Sequence, residues 1–530
     1  MRRRALVVAA PAIAAAVALS TAWVSAAAGE RDHQLTITVL GRDGKPAKDH
    51  RLFLASYDRA TERTPSGPNG RVRVRVPRGR YYLHGSIRAG GRTDRVTAPW
   101  LTLNGDTAIT LDARTTTPVN VTVPHKDARL FDGVLNGDMI VRKGLRPVVI
   151  PGLPIADFAK LGTAQVGPNA PRGRFVGSMQ VTLVAPGAAV DSPYSYTLAW
   201  FTPGRPYTGS HTVRRAELAK VRARYRPQGR DTSAGKLSLA TYAPMPNARV
   251  PFATQLPVRL PGTRTEYFNV RDLTWSFGVE PAFDASKPLP DWDQQVPSRT
   301  YRAGRRYYEV WNGAGVFGPS LPPAEPEGYA GASAKALSMR VPIYGATADT
   351  SGSIKGKAHT VVYRDGAKVG RSDDAASCHL EGKPKPGRYR ITTELKQSLN
   401  PTSTTIRAEW TFRYSGPTAP GKPTALPVQV IRFSPVLDET NAAPGGFPYL
   451  AGITVHRNPG AAPAAVTIPQ AEVSYDDGAT WRKTPVIRRG KHWAALLRHP
   501  RSGWVSLRAQ ATDTTGNATR LTIIRAYRLT

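Results

Sequence analysis

At 530 residues the chain should carry three or four folding units, given roughly 100–200 residues per domain. Apolar residues at 40% and charged residues at 21% exclude a disordered tail, and 48 glycines with 47 prolines argue for turns over long helices. The lone cysteine, Cys378, excludes an intrachain disulfide framework and a cysteine-based zinc site, and 73 basic against 38 acidic residues give a formal charge of +35.

Arg2, Arg3 and Arg4 precede an uncharged run from Ala5 to Ala28 that closes on small residues, Val24-Ser25-Ala26 and Ala26-Ala27-Ala28. This pattern predicts a signal peptide over 1–28 and a secreted protein, with an uncleaved membrane anchor as the competing reading. Loss of its three arginines leaves +32 on the exported chain. Without disulfides, stability must come from several cores of reasonable size. Cys378 reads as a buried small hydrophobe, with a reactive thiol as the alternative.

A first unit is expected over 29–125. QLTITVL places Leu35, Ile37 and Val39 on one face, and RVRVRV sets Val72, Val74 and Val76 against Arg71, Arg73 and Arg75. The turn at Pro77–Gly79 predicts a hairpin with RYYLHGSI as the returning partner, and Asn104-Gly105-Asp106 predicts another between WLTLNG and AITLDA. The order of strands and turns, with Pro77, Gly79, Tyr81 and Tyr82, resembles the prealbumin-like domain of carboxypeptidase regulatory regions. The resemblance implies a structural or adhesive role.

Strands continue through a central β-rich region, 126–325, from SMQVTLVA to RRYYEVWN, with at most one helical turn, at AELAKV. A second β-rich unit, 326–416, ends in TIRAEWTFRYS, which puts Trp410, Phe412 and Tyr414 on one face. GPTAPGKPTALP, with four prolines, reads as a linker over 417–427. An immunoglobulin-like sandwich is expected over 428–530. The fold class is thus all-β, with several β-sandwiches in tandem.

Within the last unit, Ser474 to Trp481 fits the Ser-x-Asp-x-Gly-x-Thr-Trp Asp-box, which recurs once per blade in sialidase propellers. A single copy reads as a structural hairpin. Ala511-x-Asp513-x-x-Gly516-Asn517 resembles the turn that closes bacterial immunoglobulin-like domains, and one carboxylate falls short of the ligands calcium needs. VSYDDGATWRKTPV, GKHWAALLRHPRSGWVSLRAQATDTTGN, RRYYEVWNGAGVFGP and LTITVLGRDGKPA together resemble accessory regions of secreted subtilisin-like serine peptidases of actinobacteria.

The peptidase's own Asp, His and Ser motifs do not accompany these strings. His84-Gly85-Ser86, Asp231-Thr232-Ser233 and Gly331-Ala332-Ser333 are fragments in the wrong order and context. The closest histidines, His492 and His499, lack zincin spacing, and Asp373-Asp374 and Asp291-x-Asp293 read as turn formers rather than a glycosidase pair. No residue is therefore assigned a catalytic, cofactor-binding or metal-ligating role.

The expectation is a secreted, non-catalytic, multi-domain protein that binds at or outside the cell surface. The alternatives are a partner acting in trans with a subtilisin-like peptidase and a hydrolase with an unrecognised site. Its charge favours anionic cell-wall polymers as partners without selective nucleic-acid recognition, and a membrane only if the leader stays uncleaved. Trp100, Trp200 and Trp311 are candidates for carbohydrate contact, with burial in a core as the rival fate.

Overall fold

Side chains that alternate with period two build sheets with one dry face, and such sheets must stack. The computed structural model describes residues 32–59, 61–139, 148–227, 231–245, 254–281, 290–313, 316–323, 328–417, 423–490 and 492–530. The expected leader, 1–28, lies outside them. Among the described residues every regular element is a β-strand or a one-turn 3-10 helix, and the strands form tandem sandwiches. AELAKV contributes the short turn Arg215–Glu217 and then enters strand Leu218–Tyr225.

In the N-terminal sandwich, strand Asp32–Leu40 lies between Arg71–Pro77, antiparallel, and Thr107–Asp112, parallel. The facing sheet runs Glu62–Arg63, Asp49–Ser56, Gly79–Ala89, Arg92–Leu103, Leu161–Gln165, Thr117–Pro118. Leu35, Ile37, Val72, Leu83 and Leu111 are fully buried between the two. The expected hairpin at Pro77–Gly79 is not one. Arg71–Pro77 pairs with Asp32–Leu40, whereas Gly79–Ala89 pairs with Asp49–Ser56 and Arg92–Leu103 in the other sheet. The expected turn at Asn104–Asp106 likewise passes the chain between sheets. Both are corners, because each flanking strand needs its apolar face on the same core. Strand Leu161–Gln165, from beyond residue 125, pairs with Arg92–Leu103 and extends this unit's sheet.

In the central sandwich, one sheet includes Arg129–Met139, Phe175–Val184, Tyr194–Pro203, Gly262–Asn269, Leu218–Tyr225 and Arg306–Trp311 in that spatial order. The other runs Thr254–Arg259, Ser233–Tyr242, Leu273–Glu280, Trp292–Arg299, Ser351–Ile354. Trp275, Phe268 and Phe277 fill the space between them. Gln180 staples the layers, donating to the Ser238 carbonyl at 3.0 Å and accepting from Ala240 N at 3.1 Å.

A nine-stranded sheet contains both Lys357–Arg364 and Gly503–Thr512, because Thr405–Tyr414 pairs antiparallel with Ala518–Leu529. It therefore runs across the segment read as a linker. Residues 418–422 of that segment lie outside the described residues. On its far side Thr424–Ala425 pairs with Ala330–Ala332, and Leu426 is fully buried. Trp410, Phe412 and Tyr414 all point into the core.

Candidate functional site

Two basic strands far apart in sequence, Leu218–Tyr225 and Arg306–Trp311, come together on one sheet face. In strand Leu218–Tyr225 the apolar members Val221, Ala223 and Tyr225 are buried, which turns Lys220, Arg222 and Arg224 outward. Strand Arg306–Trp311 lies parallel beside it at the sheet's edge and exposes Arg306, Tyr308 and Val310 while burying Glu309 and Trp311. Lys220 is paired with Arg306, Arg222 with Tyr308 and Arg224 with Val310. On the other flank the same three residues meet Tyr267, Thr265 and Thr263. The Tyr308 ring is 78% exposed.

The charges on this face are mostly uncompensated. Arg224 meets Glu439 at 3.1 Å, and Arg226 lies 3.7 Å from the same carboxylate. Among the described residues Lys220, Arg222 and Arg306 have no acidic side-chain partner. Cations within about 8 Å of one another act together on an anion at physiological salt. A second exposed row, Arg71, Arg73 and Arg75, lies on an edge strand of the N-terminal sandwich opposite Thr38, Thr36 and Gln34. The central sandwich's face thus presents adjacent cations around an exposed aromatic ring.

The groups that offered other chemistry are held by their own neighbours. His84 is buried, 3.1 Å from the Tyr82 hydroxyl and stacked on Phe53. Burial, with Arg95 beside it, holds the imidazole well below its usual pKa. Asp231 accepts from Trp292 Nε1 at 2.8 Å, and Ser333 Oγ accepts from the Lys335 and Ala336 amides in a turn. The three stand in different sheets or their connections and make no mutual hydrogen bond. His499 lies between the Pro444 carbonyl and the Tyr527 hydroxyl, whereas His492 is exposed. No group of three metal-ligating side chains occurs among the described residues.

Asp513 receives the Thr515 and Asn517 amides and side chains, Gln429 Nε2 and Arg457 Nη2. These donors hold its pKa down at about 2 and fill the positions a cation would take. Asp373 pairs with Arg371 at 3.4 Å, and the Asp374 amide donates to the Ser372 hydroxyl at 3.1 Å in the same turn. Asp291 binds Lys355 at 3.0 Å, while Asp293 faces Ser353 and Gln295. Sequence spacing missed the acid that does lie beside Asp293. The register Val279 to Gln294 sets Glu280 next to it across the strands, and burial pushes Glu280 up to about 7.

At the Asp-box, Asp476 accepts from the Thr480 amide and hydroxyl, Asp477 and Gly478 have positive φ, and Trp481 Nε1 donates to the Gly478 carbonyl. A groove of about 480 Å³ adjoins it, lined by Arg407, Asp477, Trp481 and Arg508. Its charges are already paired, Arg407 with Glu394, Arg508 with Glu472 and Arg525 with Asp477. Trp311 is buried, and Trp100 and Trp200 are half-buried against Tyr57 and His211. Cys378 is buried, which pushes its thiol up to about 11.

The fold defines an all-β protein of stacked sandwiches. No family model and no curated protein matches the chain. Among solved structures it aligns with the Bacillus anthracis TIE protein at 9% identity and a TM-score of 0.13, over 53% of this chain and 50% of that one. The chain thus spans about half the length of that protein. A streptococcal ancillary pilin aligns at 13% identity and 0.12, over 52% of this chain and 98% of its own. The first five immunoglobulin domains of Sidekick-1 align at 9% and 0.12, over 93% and 95%.

Proposed function

We propose that this chain is an exported, non-catalytic scaffold that holds anionic polymers at or outside the cell surface. The observation that carries this reading is the row of unpaired cations, Lys220, Arg222 and Arg306, around the exposed Tyr308 ring. A repeating polymer of phosphates or carboxylates can lay several charges along such a face and release its counterions. The resemblance to accessory regions of secreted subtilisin-like peptidases supports a place outside the cell.

Co-sedimentation with cell walls, and titration with poly(glycerol phosphate), test the reading. Affinity should fall steeply as sodium chloride is raised, with a log–log slope that grows with the number of contacts. Reversing Lys220, Arg222 and Arg306 to glutamate together should weaken binding at least about tenfold and flatten that slope. Binding that ignores both salt and the three reversals would rule the face out.

A further inference from the structure

Behind the basic face, the inner side of the same sheet carries an unusual group of buried ionisable side chains. Lys236, on strand Ser233–Tyr242, is 1% exposed and reaches across the sandwich toward the opposite sheet. Its Nζ lies 3.2 Å from the centre of the Trp311 ring and 4.5 Å from that of Phe277. It has no hydrogen-bond partner. Its nearest carboxylate oxygen is Glu266 Oε2 at 4.0 Å, itself buried and without a hydrogen bond. The Tyr225 hydroxyl donates to the other oxygen, Oε1. Glu309 Oε1 takes the Tyr301 hydroxyl at 2.6 Å, which leaves Oε2 buried and unbonded.

A buried ion pair stabilises a core only when good hydrogen bonds satisfy its remaining lone pairs and protons, and this one lacks them. What it has instead is an amine beside a carboxyl whose two oxygens differ, one held by a donor and one free. We propose that Lys236 and Glu266 become joined by an intramolecular amide bond that ties the two sheets of the central sandwich together.

In that reaction the neutral amine attacks the Glu266 carboxyl carbon and a C–N bond forms. Tyr225 stabilises the negative charge that develops on Oε1, the oxygen retained in the amide. Lys236 becomes the neutral amine by passing one ammonium proton to Glu266 Oε2, and Glu309 accepts the second proton that Nζ loses on attack and returns it to the same Oε2. The C–Oε2 bond then breaks and Oε2 departs as water, so the step needs no oxidant or activating group. Burial favours the neutral amine and lowers Lys236 to about 8, and the aromatic walls keep out the water that would reverse the step.

The intact protein purified after folding, analysed by mass spectrometry, tests this directly. Its mass should fall about 18 Da, one water, below that of its own polypeptide. Trypsin should yield a branched species in which Asp231–Arg249, uncut at Lys236, is joined to Thr265–Arg271. Recovery of Thr265–Arg271 unlinked, together with a peptide ending at Lys236, overturns the proposal and leaves a strained ion pair. Lys236→Met should have full mass. Glu309→Gln should fold and form the bond more slowly, and an unchanged rate removes Glu309 from the step.

Discussion

Arg432 lies fully buried in strand Gln429–Ser434, and its guanidinium donates to the carbonyls of Val316, Gly318, Pro319, Gly345 and Ala346. Five backbone dipoles, rather than a carboxylate, compensate the charge. Burial lowers its pKa to about 10, so it stays protonated at neutral pH. Arg432→Met should cost about 3–5 kcal/mol, read from denaturant midpoints, because those carbonyls lose their donor inside the protein. Glu280 gives a pH signature of the opposite kind. Its folded pKa is about 7 against an ordinary 4.5, so the folded chain keeps a proton that the unfolded chain releases. Stability from this group is full below about 4.5 and lost as pH rises to 7. Glu280→Gln should therefore gain about 3 kcal/mol at pH 8 and almost nothing at pH 4. Sequence alone showed neither. An arginine in IRFSP looks like any solvated strand residue, and its acceptors lie 86–116 positions away.

At the scale of elements, two corners repeat one construction. In Pro77-Arg78-Gly79-Arg80-Tyr81 the Tyr81 hydroxyl donates to the Pro77 carbonyl at 2.7 Å, and Asp58 accepts the Arg80 amide. In Lys385-Pro386-Gly387-Arg388-Tyr389 the Tyr389 hydroxyl donates to the Lys385 carbonyl at 2.8 Å, and Asp365 accepts the Arg388 amide. Each passes the chain from one sheet to another, the second from Ser377–Glu381 to Gly387–Lys396. Tyr81→Phe and Tyr389→Phe should each cost about 1 kcal/mol in chemical denaturation. The alternation of Leu35, Ile37 and Val39, or of Trp410, Phe412 and Tyr414, made the strands legible because burial imposes period two. Which strands pair was not legible, since Pro and Gly mark a bend without saying whether the chain returns to its own sheet. The basic face was half legible for the same reason: each run showed its arginines, but only the parallel pairing of Leu218–Tyr225 with Arg306–Trp311 joins them.

Across the whole molecule, sheets ignore the composition shifts that mark boundaries in sequence. Leu161–Gln165 completes the N-terminal unit's sheet, and Ser351–Ile354 pairs with Trp292–Arg299 of the central sandwich. A fragment comprising residues 29–125 should therefore unfold at lower denaturant than the same sheet in the full chain. Hydrogen exchange along Arg92–Leu103, its new edge, would register the loss first. Protection equal to that in the full chain would show that the added strand contributes nothing. By contrast, one cluster of buried apolar residues extends from Ala199 to Leu529, with Tyr207, Val213 and Leu218 packed instead in a neighbouring cluster. Arg432→Met and Tyr389→Phe should accordingly shift a single shared heat transition.

The pairing of Thr405–Tyr414 with Ala518–Leu529 also sets the order in which the molecule can be assembled. More than a hundred residues must be synthesised before the earlier strand meets its neighbour, and until then it offers an open row of amides and carbonyls. Nascent chains stalled before Ala518 would carry that adhesive border bare, which makes strand Ala518–Leu529 the clasp that covers it.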